Sequence, residues 1–230
     1  MARDTRDRII REAARLLAEQ GRDAVTTRSV AAAAGVQPPA LYRLFGDKDG
    51  LLDAVAVHGM RGYLDDKDSL GETGDPVGDL ARAWDLHVGF GLAEPACYLL
   101  VFGEPRPGGA ATARREAIAR LRHLVERVAA AGRLRTSVER ATALMHSGGV
   151  GVVVSQLGVA PAERDPGVAR AMWETVRAAI VTGRPAGRGT TVAAKASALR
   201  QALPEAPGAA LTEAERSLLA EWLGRLSDAR

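Results

Sequence analysis

The residues able to do chemistry in this chain are few and scattered. Four histidines, His58, His87, His123 and His146, lack the spacing of metal ligands, and Cys97 is the only cysteine. A cysteine-built zinc site and an intramolecular disulfide are therefore excluded. Ser147-Gly148-Gly149-Val150-Gly151 has the glycine content of a phosphate loop. It lacks both the Lys-Ser/Thr that must follow and the strand that must precede. No Gly-x-Ser-x-Gly elbow occurs, and pairs such as Asp65-Asp66 sit in polar surroundings. The pattern contains no catalytic constellation, no cofactor motif and no metal set, and the expectation is a non-enzyme. What remains is one contiguous stretch, Thr27 to Phe45, in which each residue type has an identifiable structural job.

That stretch, Thr27 to Phe45, reads as helix-turn-helix. Ala31 and Ala34 are small enough for two helices to lie close. Gly35 can take the positive φ of the sharp turn, and Val36 is the apolar plug behind it. Val30, Leu41, and Leu44 or Phe45 should close a core with Ile9, Ala13 and Leu17 of a preceding helix over about 5–20. Thr27 is the expected N-cap of the second helix, and Pro38 suits the first position of the third. The pair Pro38-Pro39 pushes against an early start, because the residue before a proline is steered from the α region.

The elements that must position this motif are all helical. The 230 residues, 47% hydrophobic but only 4% aromatic, give a core of Ala, Leu and Val and exclude a disordered chain. Helices are expected at about 48–66, 76–92, 110–131, 137–158, 166–183, 191–203 and 212–226, with polar or Gly/Pro-rich breaks at 67–75, 104–109 and 184–189. The last helix carries a capping box, Thr212 with Glu215, and an apolar face of Leu218, Leu219, Trp222, Leu223 and Leu226. Val152 to Val154 would also permit a strand, but the small-residue spacing favours a helix. The fold class is all-α: an N-terminal helix-turn-helix domain over 1–50, a helical domain over 51–183, and a linker with a helical extension over 184–230. The net charge of +3 permits a polyanion partner without demanding one. With no apolar leader, no apolar run long enough for a bilayer and one cysteine, the expected setting is cytoplasmic, nucleoid-associated, with no membrane partner.

Glu19-Gln20-Gly21, then Thr27 to Val36 ending Ala-Gly-Val, then Leu41-Tyr42-Arg43-Leu44-Phe45 with Asp47-Lys48 and Leu51-Leu52 resemble the tetracycline-repressor (TetR) family of bacterial transcription regulators. The resemblance covers roughly the first fifty-five residues. Beyond them it extends only to the general plan of a helical C-terminal domain. It implies a homodimeric repressor that binds a pseudo-palindromic double-stranded operator, its recognition helices in successive major grooves about 34–36 Å apart, and a small effector that releases it. The alternative is the same fold acting through protein partners, or as a ligand binder, without an operator.

Carried onto this sequence, the DNA-binding positions are Thr27, Arg28, Gln37, Pro38, Pro39, Ala40, Tyr42, Arg43 and Lys48. Tyr42 and Lys48 match phosphate-contacting positions. Gln37 can read adenine, and Pro39 and Ala40 can meet a thymine methyl. Leu44 stands where the family often has His or Tyr, so no contact is expected from it. Trp84, His87, Phe90, Tyr98 and Phe102, with Met145 and His146, are the candidate walls of a pocket for an apolar or aromatic effector. Ordinary core is the competing reading for each. Ser147, Gly148, Gly151 and Val154 on one helix, with Met172, Trp173, Val176 and Ile180 on the next, are the candidate four-helix dimer interface. Cys97 reads as a buried inert thiol more readily than as a redox sensor.

Overall fold

A computed structural model describes residues 2–103, 108–183, 192–205 and 211–228. Eleven α-helices run through them. They are α1 (Ala2–Gln20), α2 (Thr27–Ala34), α3 (Pro38–Phe45), α4 (Lys48–Ser69), α5 (Pro76–Ala93), α6 (Pro95–Tyr98), α7 (Gly109–Ala130), α8 (Val138–Leu157), α9 (Pro166–Ile180), α10 (Val192–Ala202) and α11 (Glu213–Asp228). A π turn over Leu99–Gly103 continues α6. The only β pairing among the described residues is a bridge between Leu134 and Val181, and Val152 to Val154 are helical. Of the expected break at 104–109, residues 104–107 lie outside the described residues and α7 begins already at Gly109; the break at 184–189 lies outside them as well. No single described helix is long and apolar enough to cross a membrane.

Contacts divide the chain into two units that do not follow chain order. The first gathers residues 1–69, 86–117 and 153–161. Its core forms because α1 turns Ile9, Ala13, Leu16 and Leu17 to one side, as their spacing predicts, and all four are buried. The opposite side stays wet, where Arg15 pairs with Glu12 at 3.0 Å and Glu19 at 2.7 Å. Leu51, Leu52, Val55, Ala56, Met60 and Tyr63 of α4 close on that face, with Val30 and Leu41. The carboxylate of Asp53, on the outer side of α4, accepts hydrogen bonds from the backbone N–H of Gly109 and Ala110 and so caps α7. Gly91 of α5 allows a close approach: a Cβ there would stand 2.5 Å from Cγ1 of Val153 on α8.

The second unit gathers residues 70–85, 118–152 and 162–230. Its anchor is Asp79 on α5, 2% exposed. The carboxylate accepts from the Thr73 hydroxyl at 2.6 Å, the Thr73 N–H at 3.0 Å and Arg82 at 2.7 Å, and it is paired with Arg127 of α7. Arg127 also donates to the Thr73 carbonyl at 2.6 Å and pairs with Glu72. One buried acid thus ties the 70–75 loop to two helices.

The C-terminal extension is docked on this unit. Arg200 of α10 pairs with Glu139 at 3.0 Å, and Asp228 at the end of α11 accepts from the Thr136 hydroxyl at 3.0 Å and the Ser137 N–H at 3.2 Å. The Thr212–Glu215 capping box forms as expected, with Thr212 N–H to Glu215 at 2.8 Å. The apolar face expected of α11 does not pack as one. Leu223 is buried, while Leu218, Trp222 and Leu226 are exposed, because α11 meets α10 on a narrower strip that also buries Ser227.

Burial alone would raise the Asp79 carboxyl, but the hydrogen bonds from Thr73, Arg127 and Arg82 outweigh it and hold the group well below the usual carboxylate range. A group depressed on folding contributes stability that is complete above its unfolded value, about 3.9, and is lost as the pH falls through the folded one. Asp79→Asn is therefore expected to cost about 3 kcal/mol at pH 7, as for breaking a buried ion pair. The difference from the parent should shrink progressively below about pH 4. Urea unfolding at pH 7 and pH 3 measures both.

Candidate nucleic-acid interface

The helix-turn-helix forms through local rules that the sequence carries. Thr26, rather than the expected Thr27, caps α2. Its hydroxyl accepts from the Ser29 N–H at 3.0 Å, while the Ser29 hydroxyl accepts from the Thr26 N–H at 3.0 Å. Two adjacent threonines made the position ambiguous, and the serine three residues on decides it, since a reciprocal box needs that spacing. Ala31 and Ala34 are buried as predicted, and Gly35 ends the helix in the left-handed region at φ 63.

Gln37 is extended, at φ −82 and ψ 142, and α3 begins at Pro38. The proline pair therefore does not delay the helix. Both prolines occupy the first turn, where an N–H would have no intrahelical acceptor in any case. Two of the four backbone donors at this helix start are consequently absent. The Ala40 N–H is taken by the Gln37 carbonyl at 2.9 Å. The start of α3 thus offers little backbone to an anion, and its polar capacity lies in its side chains.

Those side chains stand outward. Gln37, Pro38, Pro39, Tyr42 and Arg43 are exposed, Tyr42 at 54%, and Ala40 is half-buried. The Gln37 amide makes no capping bond, so it is uncommitted. Leu41 is buried, and Leu44 and Phe45 pack on the core. Arg28 is exposed on α2 and Thr27 is half-buried beside it. Among the described residues, neither Arg28 nor Arg43 has an ion-pair partner. Lys48, half-buried on the first turn of α4, donates to the Arg22 carbonyl at 3.4 Å. Asp47 accepts from the Gly50 N–H at 2.8 Å and caps that helix.

The expected effector residues fall in two places. His87, Phe90, Tyr98 and Phe102 meet in the first unit. His87 is the hub, with Nε2 3.0 Å from the Tyr98 hydroxyl and Nδ1 3.0 Å from that of Tyr63. Phe90 stacks on Tyr63 at 4.4 Å, and Tyr98 and Phe102 lie 4.8 Å apart. Burial raises the phenol of Tyr63, and burial with the neighbouring Tyr63 raises that of Tyr98, so both stay neutral and able to donate. Tyr63 was not among the expected pocket residues, although its spacing from Met60 on the buried side of α4 was visible in the sequence. Trp84, Met145 and His146 belong to the second unit, where Trp84 packs against Trp173 at 6.0 Å. Cys97 is buried in the first unit, and its thiol is pushed up to about 12, by burial first and then by the Glu94 carboxylate. That suppresses the thiolate that redox chemistry needs.

The expected interface residues also divide. Trp173, Val176 and Ile180 are buried within their own chain, and Val176 and Met172 pack against Gly148. Ser147 and Gly151 on α8 and Met172 on α9 are exposed, together with Leu144. Val154, farther along α8, is exposed as well.

Residues 9–55 match the model of the bacterial regulatory proteins of the tetR family. The tetracycline repressor protein class A from transposon 1721 of Escherichia coli is 54% identical over 48 residues, 21% of this chain and 22% of that protein. The class C tetracycline repressor of Escherichia coli is 49% identical over 51 residues, 22% of this chain and 23% of that protein. The match thus spans about a fifth of the length of these curated relatives. Solved structures extend the likeness in fold. A protein of unknown function from Rhodococcus sp. RHA1 has a TM-score of 0.67 at 21% identity, over 77% of this chain and 96% of its own. A TetR transcription regulator from Haloarcula marismortui has a TM-score of 0.61 at 18% identity, over 78% and 99%. With the helix-turn-helix geometry, the match over residues 9–55 identifies this segment as a helix-turn-helix domain of the kind found in the bacterial regulatory proteins of the tetR family.

Proposed function

We propose that this chain is a transcription regulator that binds DNA as a homodimer and represses by occupying its operator until a small effector releases it. The observation that carries the reading is the outer side of α3. Gln37, Pro39, Tyr42 and Arg43 stand exposed on a helix whose inner side is sealed into a core, with Gly35 fixing the turn. A helix so held fits a major groove, with Gln37, Pro38, Pro39 and Ala40 toward base edges and Thr27, Arg28, Tyr42, Arg43 and Lys48 toward phosphates. In this reading residues 1–50 bind DNA, 51–183 bind effector and dimerise, and 184–230 extend the second part.

The dimer is assigned to the exposed sides of α8 and α9. Leu144, Ser147 and Gly151 on α8, with Met172, Thr175 and Ala179 on α9, leave apolar and small side chains in solvent. The absence of a side chain at Gly151 lets another helix approach closely. The effector is assigned to the His87 hub. Its ring walls suit an apolar or aromatic molecule, and its hydroxyls and imidazole offer a small number of polar contacts.

The test is fluorescence anisotropy on DNA from the chain's own promoter, at two salt concentrations, against scrambled DNA. Selective, salt-sensitive binding with two protomers per site is expected. No selective binding there, and none from a random-sequence selection, would point instead to action through protein partners. Four substitutions refine it. Tyr42→Ala and Lys48→Ala should weaken binding to all sequences alike, and Lys48→Ala should reduce the salt slope by about one; unchanged affinity and slope would remove Lys48 from the interface. Thr26→Ala should lower stability by about 1 kcal/mol through loss of the cap, read by urea unfolding. His87→Phe leaves the hydroxyls of Tyr63 and Tyr98 without their partner and should cost about 1–3 kcal/mol for each, read the same way.

A further inference from the structure

A second polar feature of the first unit has no part in the reading above. A cavity of about 220 Å³ opens between α1 and α4 at the start of α7. Arg6 and Asp7 of α1 line it, with Asp53, His58 and Arg61 of α4 and the backbone of Gly109. On α4 the lining positions recur at helical spacing, so a single stripe of that helix faces the cavity.

The charges in it are not balanced in use. Both carboxylate oxygens of Asp53 already accept N–H groups of α7, from Gly109 and from Ala110. His58 and Arg61, three residues apart and both exposed, have no hydrogen-bond or ion-pair partner among the described residues. The Arg6 guanidinium rests 5.3 Å from the centre of the Phe45 ring, a contact that leaves its N–H donors available. The lining therefore holds two guanidinium groups and an imidazole with free ring and fork positions, against two carboxylates, Asp7 and Asp53, of which Asp53 has both oxygens already bonded.

We propose that this cavity is a binding site for a small oxyanion, held by the forked donors of Arg61 and Arg6 and by the His58 ring. Guanidinium groups match the geometry of carboxylate and phosphate oxygens alike, so a free phosphate and a small organic carboxylate share the required chemistry. The cavity volume admits either. Arg6 also touches Phe45, the last residue of the recognition helix α3. An oxyanion that engages Arg6 therefore acts directly on the residue seated against that helix.

The full chain is melted in the absence of DNA with increasing sodium phosphate, and separately with sodium citrate, each against sodium chloride at equal ionic strength. The parent should show a saturable rise in melting temperature with at least one of the two, and the more effective of them identifies the class. In the double variant His58→Ala/Arg61→Ala the midpoint of that rise should move to about ten- to a hundredfold higher concentration, the loss expected for charge-assisted hydrogen bonds. Both positions are exposed, so the fold should be retained, and circular dichroism checks it. Arg61→Gln alone serves as the milder variant. A rise that is linear and equal in parent and variant is the general effect of excluded salts. That result overturns the site, as does a saturable rise the variants leave unchanged, or no rise with either anion. None of these outcomes depends on operator binding.

Discussion

The structure depends on keeping one helix half-buried. α3 is eight residues long, too short to persist by itself in water. It exists because Leu41, Leu44 and Phe45 are held by a core that α1 and α4 supply. That core must be deep enough to hold the helix and narrow enough to leave its other side free. Small residues meet both demands: Ala13, Ala31, Ala34 and Ala56 are buried, and they let the helices close without a bulky side chain pushing α3 outward. The low aromatic content of the chain suits such a core. Its buried rings gather in two places, the His87 hub of the first unit and the Trp84–Trp173 pair of the second.

Polar groups do the long-range tying. Asp53 joins α4 to α7, Asp79 joins a loop to α5 and α7, and Asp228 joins the end of α11 to the start of α8. In each case an aspartate satisfies donors that would otherwise be left over at a helix start or in a loop. Such contacts are directional, so they fix where an element sits in a way that aliphatic packing alone does not. Lys67, reaching from α4 to the Ala117 carbonyl of α7 at 3.3 Å, acts in the same manner.

What the sequence made legible was local. The helices, the turn at Gly35, the box at Thr212 and the burial of Ile9, Ala13, Leu16 and Leu17 follow from spacing and capping chemistry between residues a few positions apart. The match over residues 9–55 was legible for the same reason, since the motif is contiguous. What it hid depends on residues far apart in the chain. Nothing near Asp53 or Asp79 announces a partner more than forty residues away. The meeting of Tyr63 with His87, twenty-four residues on, is another such contact. The periodicity of α11 named five apolar positions but could not say how wide a strip α10 would cover. Pro38-Pro39 was misjudged as an obstacle: the bias of a pre-proline residue away from the α region is overcome at Pro38, whose ring already sets φ near the helical value in a first turn that needs no N–H.

That proline pair has a bearing on the thermodynamics of association. With φ fixed at two successive positions, the first turn of α3 has little conformational freedom to lose when it meets a surface. Docking by such an element is close to a rigid-body event, with a smaller ordering cost than a flexible helix start would carry. In the proposed regulator, discrimination between sequences would fall to the fit of a preset shape, and side chains such as Gln37 could be exchanged without altering the backbone that presents them.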